Sequence, residues 1–93
     1  MAKTWERPKD PNEVLDYDLT WEAQMTADGD TIDTSNWMVP AGITKDSQSN
    51  TTTRTKVWLS GGTTGQTYEL LNHVVTAGGR EFDQTMKLKM KDR

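Results

Sequence analysis

Few residues in this chain have the types and spacing that catalysis requires. His73 is the single histidine, so no His-rich metal site can form and no Ser-His-Asp arrangement has a second candidate base. Cysteine is absent, which removes disulfides and Cys-based zinc sites. On its predicted strand His73 shares a face with Leu71 and Val75, which favours a partly covered sheet residue over a catalyst.

Two acidic groups resemble functional sites only in part. Asp28, Asp30 and Asp33 lack the ligand order and the terminal bidentate Glu of an EF-hand loop, so they are predicted to lie in a solvated turn. Asp16 and Asp18 would lie about 7 Å apart on one strand face, within the range of a carboxylate pair, but no pocket-forming sequence accompanies them. The sequence therefore predicts no catalytic residue, no cofactor and no metal, and the chain is not expected to be an enzyme.

The glycine-rich stretch GGTTG at residues 61–65 has the composition of a phosphate-binding loop. It lacks the following Gly-Lys-Ser/Thr and joins strand to strand, so it is predicted to be a turn. Asn50-Thr51-Thr52 fits the glycosylation sequon, but nothing else marks the chain as secreted.

Length and charge limit the remaining possibilities. The 93 residues suffice for one domain. A net charge of −3 provides no positive field for nucleic acid or anionic lipid, so neither is an expected partner. No apolar run approaches the roughly 20 residues of a membrane span, and no signal-peptide apolar region is present; synthesis in the cytoplasm is expected. The hydrophobic content of 32% and the many threonines favour solvated strand faces and disfavour helices.

Alternation of apolar and polar residues predicts the strands. Leu15, Tyr17, Leu19 and Trp21 share one face, and the last strand places Phe82, Met86, Leu88 and Met90 together. Polar residues 44–55 are predicted to form strands around a turn near 48–52. Two neighbouring hairpins are predicted to end the chain, with a Gly78-Gly79 turn. Trp37 is predicted to be buried, whereas Trp58 alternates with Val57 and Leu59 and is predicted to face outward.

Six or seven short strands with regular turn signals are typical of an immunoglobulin-like sandwich. Tyr68 is placed like the tyrosine corner of that fold, and Leu70 stands where antibody domains have their second cysteine. The predicted fold is thus all-β: an immunoglobulin-like two-sheet antiparallel sandwich over residues 14–93, preceded by an extended N-terminal arm over residues 1–13. In this arm Trp5 would either fold back onto the domain or anchor in a partner.

Four segments together resemble the small phage fiber-tail adaptor family. They are KDPNEVLDYDLTW at Lys9–Trp21, GDTI followed by WMVPAGI at Trp37–Ile43, VWLSGGTTGQTY at Val57–Tyr68, and GGREFDQTMKLKM at Gly78–Met90. The resemblance implies a virion structural protein of immunoglobulin-like fold that lies between a phage tail or neck and its receptor-binding fibers. It also implies tail or neck subunits and fiber proteins as partners, multiple copies in a symmetric assembly, and synthesis in the host cytoplasm.

An adaptor needs exposed aromatics and arms that order on docking, which makes five residues the predicted partner-binding positions: Trp5, Arg7, Pro8, Pro11 and Trp58. Deleting residues 3–13 is expected to leave a folded monomer that no longer enters particles. Two alternatives remain. One is a capsid decoration protein, and the other is a carbohydrate-binding module in which Trp58 would stack with Tyr17 or Trp37.

Overall fold

A computed structural model describes residues 2–92. Within this range the chain forms seven strands and one short helix, in the order β1 (Lys3–Thr4), β2 (Leu15–Thr20), α1 (Glu22–Asp28), β3 (Ile32–Met38), β4 (Ile43–Asn50), β5 (Arg54–Gly61), β6 (Thr67–Thr76) and β7 (Glu81–Lys89). Met1 of the predicted arm and Arg93 of the predicted sandwich lie outside the described residues. No helix in residues 2–92 has the length and hydropathy needed to cross a membrane.

The strands form two packed sheets, with orders β1-β7-β6-β3 and β2-β5-β4. An immunoglobulin-like sandwich likewise separates its C, F and G strands from B, E and D. The prediction of an all-β two-sheet sandwich is therefore confirmed. One pairing departs from a purely antiparallel arrangement, because β1 runs parallel to β7 with Lys3 opposite Met86.

The core lies between the sheets and follows the predicted alternation. Every second residue of β2, β5, β6 and β7 points inward. The buried cluster comprises Tyr17, Leu19, Trp37, Ile43, Val57, Leu59, Leu70, Met86, Leu88 and Met90. Trp37 is only 1% exposed, as predicted. The predicted turn within the polar stretch is also confirmed, since β4 and β5 flank residues 51–53.

Tyr68 forms the predicted tyrosine corner at the start of β6. Its hydroxyl oxygen accepts a hydrogen bond from the backbone N–H of Thr63 at 3.1 Å. Gly42 packs against the same ring, and a Cβ added there would lie 3.1 Å from the Tyr68 hydroxyl oxygen. Gly42 also has a φ of +98°, which side chains disfavour. The corner therefore connects the turn before β6 with the turn before β4.

The expectation of a helix-free chain is wrong at α1. Met25 of this helix is buried against Ile32 and Val74. Gly29, at φ +62°, ends the helix with bonds from its own N–H and that of Asp30 to carbonyls of the last turn. Seven residues do not form a stable helix alone, so packing of Met25 against the end of the sandwich stabilises it.

The prediction of two neighbouring hairpins at the C-terminus is wrong for the first of them. β5 already pairs with β2 on one side and β4 on the other, so β6 joins the opposite sheet. The GGTTG stretch is thus a connection between sheets. The β6–β7 hairpin is confirmed, although its turn spans residues 77–80 and only Gly79 of the glycine pair has a positive φ.

Asp30 links the loop after α1 to the β6–β7 turn. Its carboxylate accepts hydrogen bonds from the backbone N–H of Thr31 at 2.8 Å and of Gly78 at 3.0 Å. Nη1 of Arg80 lies 3.0 Å from the second carboxylate oxygen. The Thr76 hydroxyl, the two backbone donors and Arg80 lower the pKa of Asp30 from 3.8 to about 2.

Asp30→Asn is expected to remove a pH-dependent part of the stability. Because the folded pKa of Asp30 lies below the unfolded value of 3.8, its carboxylate stabilises the fold above about pH 4. That contribution is lost as the pH falls through 2. Urea unfolding between pH 2 and 6 should show the wild-type advantage shrinking toward pH 2. Asp33→Asn controls for the charge change, and a wild-type advantage that stays constant with pH would contradict the assignment.

Candidate partner-binding surface

The N-terminal segment closes the seam between the two sheets. Its strand β1 pairs with β7 of the first sheet, and its Trp5 packs against β2 of the second sheet. The Trp5 ring lies 4.8 Å from the ring of Tyr17 and 5.5 Å from that of Trp37, between centroids. Its Nε1 donates to the carbonyl of Asp18 at 2.9 Å. Of the two arrangements considered for Trp5, the described chain thus adopts the one in which the ring folds back onto the domain.

Arg7 continues this cover along the edge of β2. Its guanidinium carbon lies 4.7 Å from the centroid of the Tyr17 ring, a cation–π distance. Its Nη2 donates to the backbone carbonyl of Asp16 and lies 3.8 Å from the Asp16 carboxylate. On the other side, Nζ of Lys56 is 3.3 Å from the same carboxylate. Asp16 therefore joins Arg7 to the outer face of the second sheet.

Lys9 anchors the end of the segment and was not recognised from the sequence. Its side chain is fully buried, and Nζ donates to the carbonyls of Gly61 at 2.6 Å and Asp10 at 3.0 Å. Burial lowers the pKa of Lys9 below its usual value, although the nearby Glu13 and Asp10 oppose this shift. The ammonium thus ties the segment to the end of β5.

A tight turn follows Lys9 and leads into β2. Asp10 Oδ1 accepts from the backbone N–H of Asn12, and Glu13 Oε1 accepts from that of Asp10, both at 2.8 Å. Pro11 lies in this turn and Pro8 precedes Lys9, and both are half-buried. The independent folding of residues 14–93 without residues 1–13 remains a prediction.

Trp58 projects from the middle of the second sheet and is 39% exposed, as its alternation predicted. It lies opposite Asp16 of β2 and Ser47 of β4. Val14, which directly precedes β2, is 58% exposed. The Trp58 surface is defined here by these residues and their charged neighbours: Arg7, Val14, Asp16, Ser47, Lys56 and Trp58.

A shallow pocket of about 320 Å³ opens beside the Trp58 surface and is lined by Trp5, Glu6, Arg7, Asp16, Tyr17 and Asp18. The fold brings three of the five predicted partner-binding residues to one side of the molecule. Trp5 and Arg7 line this pocket together with Asp16, and Trp58 lies opposite Asp16 on the neighbouring strand. Pro8 and Pro11 are not among the residues that line this pocket. Pro8 lies directly before Lys9 and Pro11 in the turn after it.

The residues considered for catalysis have structural contacts. His73 lies on the outer face of the first sheet, with Nδ1 2.6 Å from Asp83 Oδ1 and Nε2 3.0 Å from Glu81 Oε1. These carboxylates raise the pKa of His73, with Asp83 contributing most. On the second sheet, Asp18 lies 3.2 Å from Arg54. Within residues 2–92, no group of three or more His, Cys, Asp or Glu side chains is placed to hold a metal.

The aromatic platform considered for carbohydrate binding is wrong. Trp58 faces solvent, whereas Tyr17 and Trp37 are both buried in the core. The reason is the strand alternation, which points Tyr17 and Trp37 inward and Trp58 outward. Trp58 therefore cannot form a stacking surface with either ring.

One comparison with known families gives a match that covers most of the chain. A family model described as podophage GP4 fiber-tail adaptor protein gp77 matches residues 9–89. This range begins at the buried Lys9, ends with β7 and includes Val14, Asp16, Ser47, Lys56 and Trp58. A search among curated proteins finds no match.

Proposed function

The chain belongs to the podophage GP4 fiber-tail adaptor protein family, and we propose from this membership that it joins the tail or neck of a phage virion to the receptor-binding fibers. Its partners in this proposal are tail or neck subunits and fiber proteins, which it contacts in multiple symmetric copies. The observation that supports docking at a defined place is the Trp58 surface.

The composition of the Trp58 surface suits a protein partner. Tryptophan is enriched at the energetic centres of interfaces, and Trp58 is the exposed one among the four tryptophans of the chain. A Trp with about 40% of its surface exposed offers roughly 100 Å² for burial, which corresponds to about 2 kcal/mol. Val14 extends the apolar area beside it.

The charged neighbours of Trp58 give the surface a polar rim. Asp16 lies within ion-pair distance of Lys56 on one side and Arg7 on the other, and the Tyr17 ring and the Asp16 carbonyl also hold the Arg7 guanidinium. In this proposal the half-exposed guanidinium of Arg7 binds a carboxylate of the partner. Trp5 contributes the edge of its ring from the neighbouring pocket. Pro8 and Pro11 restrict the backbone of the segment that carries Trp5 and Arg7.

Trp58→Ala is expected to abolish most incorporation into particles while leaving the fold intact. Loss of about 2 kcal/mol weakens binding roughly 30-fold. The measurement is the amount of the variant in purified particles after complementation of a phage that lacks the wild-type protein. Trp58→Phe should restore part of the incorporation. Ser49→Ala, which changes an exposed residue of the same sheet, is the matched control.

Incorporation of Trp58→Ala at the wild-type level would refute the docking role of this surface. The thermal melting of the variant separates docking from folding, because a variant that still melts as a folded domain but does not enter particles has lost docking and not its fold. Labelled wild-type protein in the same particles also distinguishes an adaptor from a capsid decoration protein. An adaptor is expected at the tail or neck, and a decoration protein on the capsid shell.

A further inference from the structure

We propose that the outer face of the β1-β7-β6-β3 sheet binds a second copy of this chain, face to face about a two-fold axis. We call this surface the Met38 face: the outward residues of β3, β6 and β7, centred on the row Met38, Leu71 and Thr85. The Met38 face lies on the opposite side of the sandwich from the Trp58 surface. This proposal therefore does not depend on the proposed docking of Trp58.

The centre of the Met38 face is apolar. Met38 is 46% exposed and pairs with Leu71, which in turn pairs with Thr85. Val39 and Pro40 continue this area beyond β3, and a shallow depression of about 330 Å³ lies over these residues. This row of Met and Leu offers adaptable apolar area that a contact could cover.

The charges along β7 are arranged symmetrically with opposite signs around Thr85. Glu81 and Asp83 precede it, and Lys87 and Lys89 follow at matching distances along the strand. All four alternate with the inward side of β7, which carries the buried Met86 and Leu88 and the partly buried Phe82, and so point outward. A two-fold axis along the Met38, Leu71 and Thr85 row reverses the strand direction in the second copy. Asp83 of one copy then faces Lys87 of the other, and Glu81 faces Lys89.

β6 shows the same relation around Leu71. Glu69 and His73 lie two residues before and two residues after it, so the same axis places Glu69 of one copy opposite His73 of the other. Within one chain His73 contacts Asp83 and Glu81, and Lys87 lies 3.9 Å from Glu69. These exposed contacts are weak. The outward face of β7 therefore keeps an acidic first half and a basic second half. Such self-complementarity is what an isologous interface requires.

The edges of β3, β2 and β4 are less available than this face, and the remaining edge strand, β1, has only two residues. Gln48 Oε1 accepts from the backbone N–H of Trp37 at 2.8 Å, and Lys45 Nζ donates to its carbonyl at 2.9 Å. These contacts occupy the edge of β3, and Trp5 and Arg7 cover carbonyls of β2. Side chains and a bulge in β4 thus hinder edge-to-edge pairing, which favours association through a face.

The Met38 face is small, so only a weak association is expected. Strand and residue spacings give each outward side chain roughly 33 Å² of flat area. The whole face therefore offers on the order of 400 Å² per copy, or about 800 Å² for the pair, which is below the roughly 1,200 Å² of stable specific interfaces and in the range of weak encounters. We expect a weak dimer that forms at roughly tens of micromolar, measurable by sedimentation equilibrium.

Exchange of two charges tests the geometry. Asp83→Lys and Lys87→Asp are each expected to be monomeric, because like charges then face each other across the axis. An equal mixture of the two variants should form heterodimers, and the double variant D83K/K87D should recover dimerisation. Leu71→Glu should remain monomeric, and Ser49→Asp on the opposite sheet should dimerise like wild type. Circular dichroism and thermal melting check that each variant is folded.

Three outcomes would overturn the proposal. The first is a wild-type chain that stays monomeric at several hundred micromolar. The second is wild-type association that neither charge variant weakens, which would place the contact elsewhere. The third is a mixture of folded Asp83→Lys and Lys87→Asp chains that fails to associate. None of these results changes the expectation for Trp58, so failure of this proposal is distinguishable from failure of the adaptor function.

Discussion

Trp37→Ala is expected to cost about 3–5 kcal/mol of the free energy of unfolding. Trp37 is 1% exposed, packs in the main core cluster and contacts the ring of Trp5. The cavity left by alanine lies between two sheets that cannot close fully over it. A domain of this size has a total stability of roughly 5–14 kcal/mol, so the substitution removes a large fraction of it and should lower the urea midpoint strongly.

Urea unfolding followed by far-UV circular dichroism measures this loss without relying on tryptophan fluorescence. Trp58→Ala is the matched control, since it removes the same side chain from an outward, 39% exposed position and should cost clearly less, about 1 kcal/mol. Equal effects of the two substitutions on the unfolding midpoint would contradict the role of Trp37 as a core residue.

Deletion of residues 2–9 is expected to destabilise the sandwich by about 3 kcal/mol or more. The deletion removes the Trp5 ring from Tyr17 and Trp37. It also removes the ammonium of Lys9 from the carbonyl of Gly61 and the strand beside β7. The sequence alone predicts that the chain without residues 3–13 stays a folded monomer. The contacts of this segment with the core predict instead that its removal exposes Tyr17 and Trp37 and lowers the stability of the fold.

Two substitutions separate the parts of this effect. Trp5→Ala should cost about 2–3 kcal/mol through lost apolar contacts. Lys9→Met should cost about 1–3 kcal/mol, because the carbonyls it bound lose a charged donor. Glu6→Ala, at an exposed position of the same segment, is the control. A deletion variant with the wild-type unfolding midpoint would contradict the described role of the segment and would support a separate arm.

Local patterns predicted the parts of the fold that depend on alternation. The inward positions of Val57 and Leu59, the outward Trp58 and the Tyr68 corner all follow from the spacing of residues within a few positions. The resemblance over four segments agrees with the family match. Trp58 and Arg7 were predicted as binding residues, but their connection through Asp16 depends on the register of β2 against β5, which one sequence does not reveal.

The features that were missed depend on distant contacts. Lys9 is buried because it reaches the carbonyl of Gly61, which lies 52 residues away; a lysine in a charged, proline-containing stretch otherwise indicates exposure. α1 is stabilised by Met25 packing against Val74 of a distant strand. Unlike Lys9, it also has a local helix signal, because Gly29 follows a run of good helix formers at residues 22–25 by four positions. The chain crosses to the other sheet after β5 because both edges of β5 are already paired, with β2 and with β4. The glycine-rich turn between β5 and β6 does not reveal those pairings.

The most direct test of the adaptor role is an electron cryo-microscopy map of the assembled virion with this chain traced in it. We expect the chain at the junction between the tail or neck and the fibers, with Trp58 of each copy covered by another virion protein. A chain on the capsid shell, or one with Trp58 facing solvent in every copy, would contradict the account.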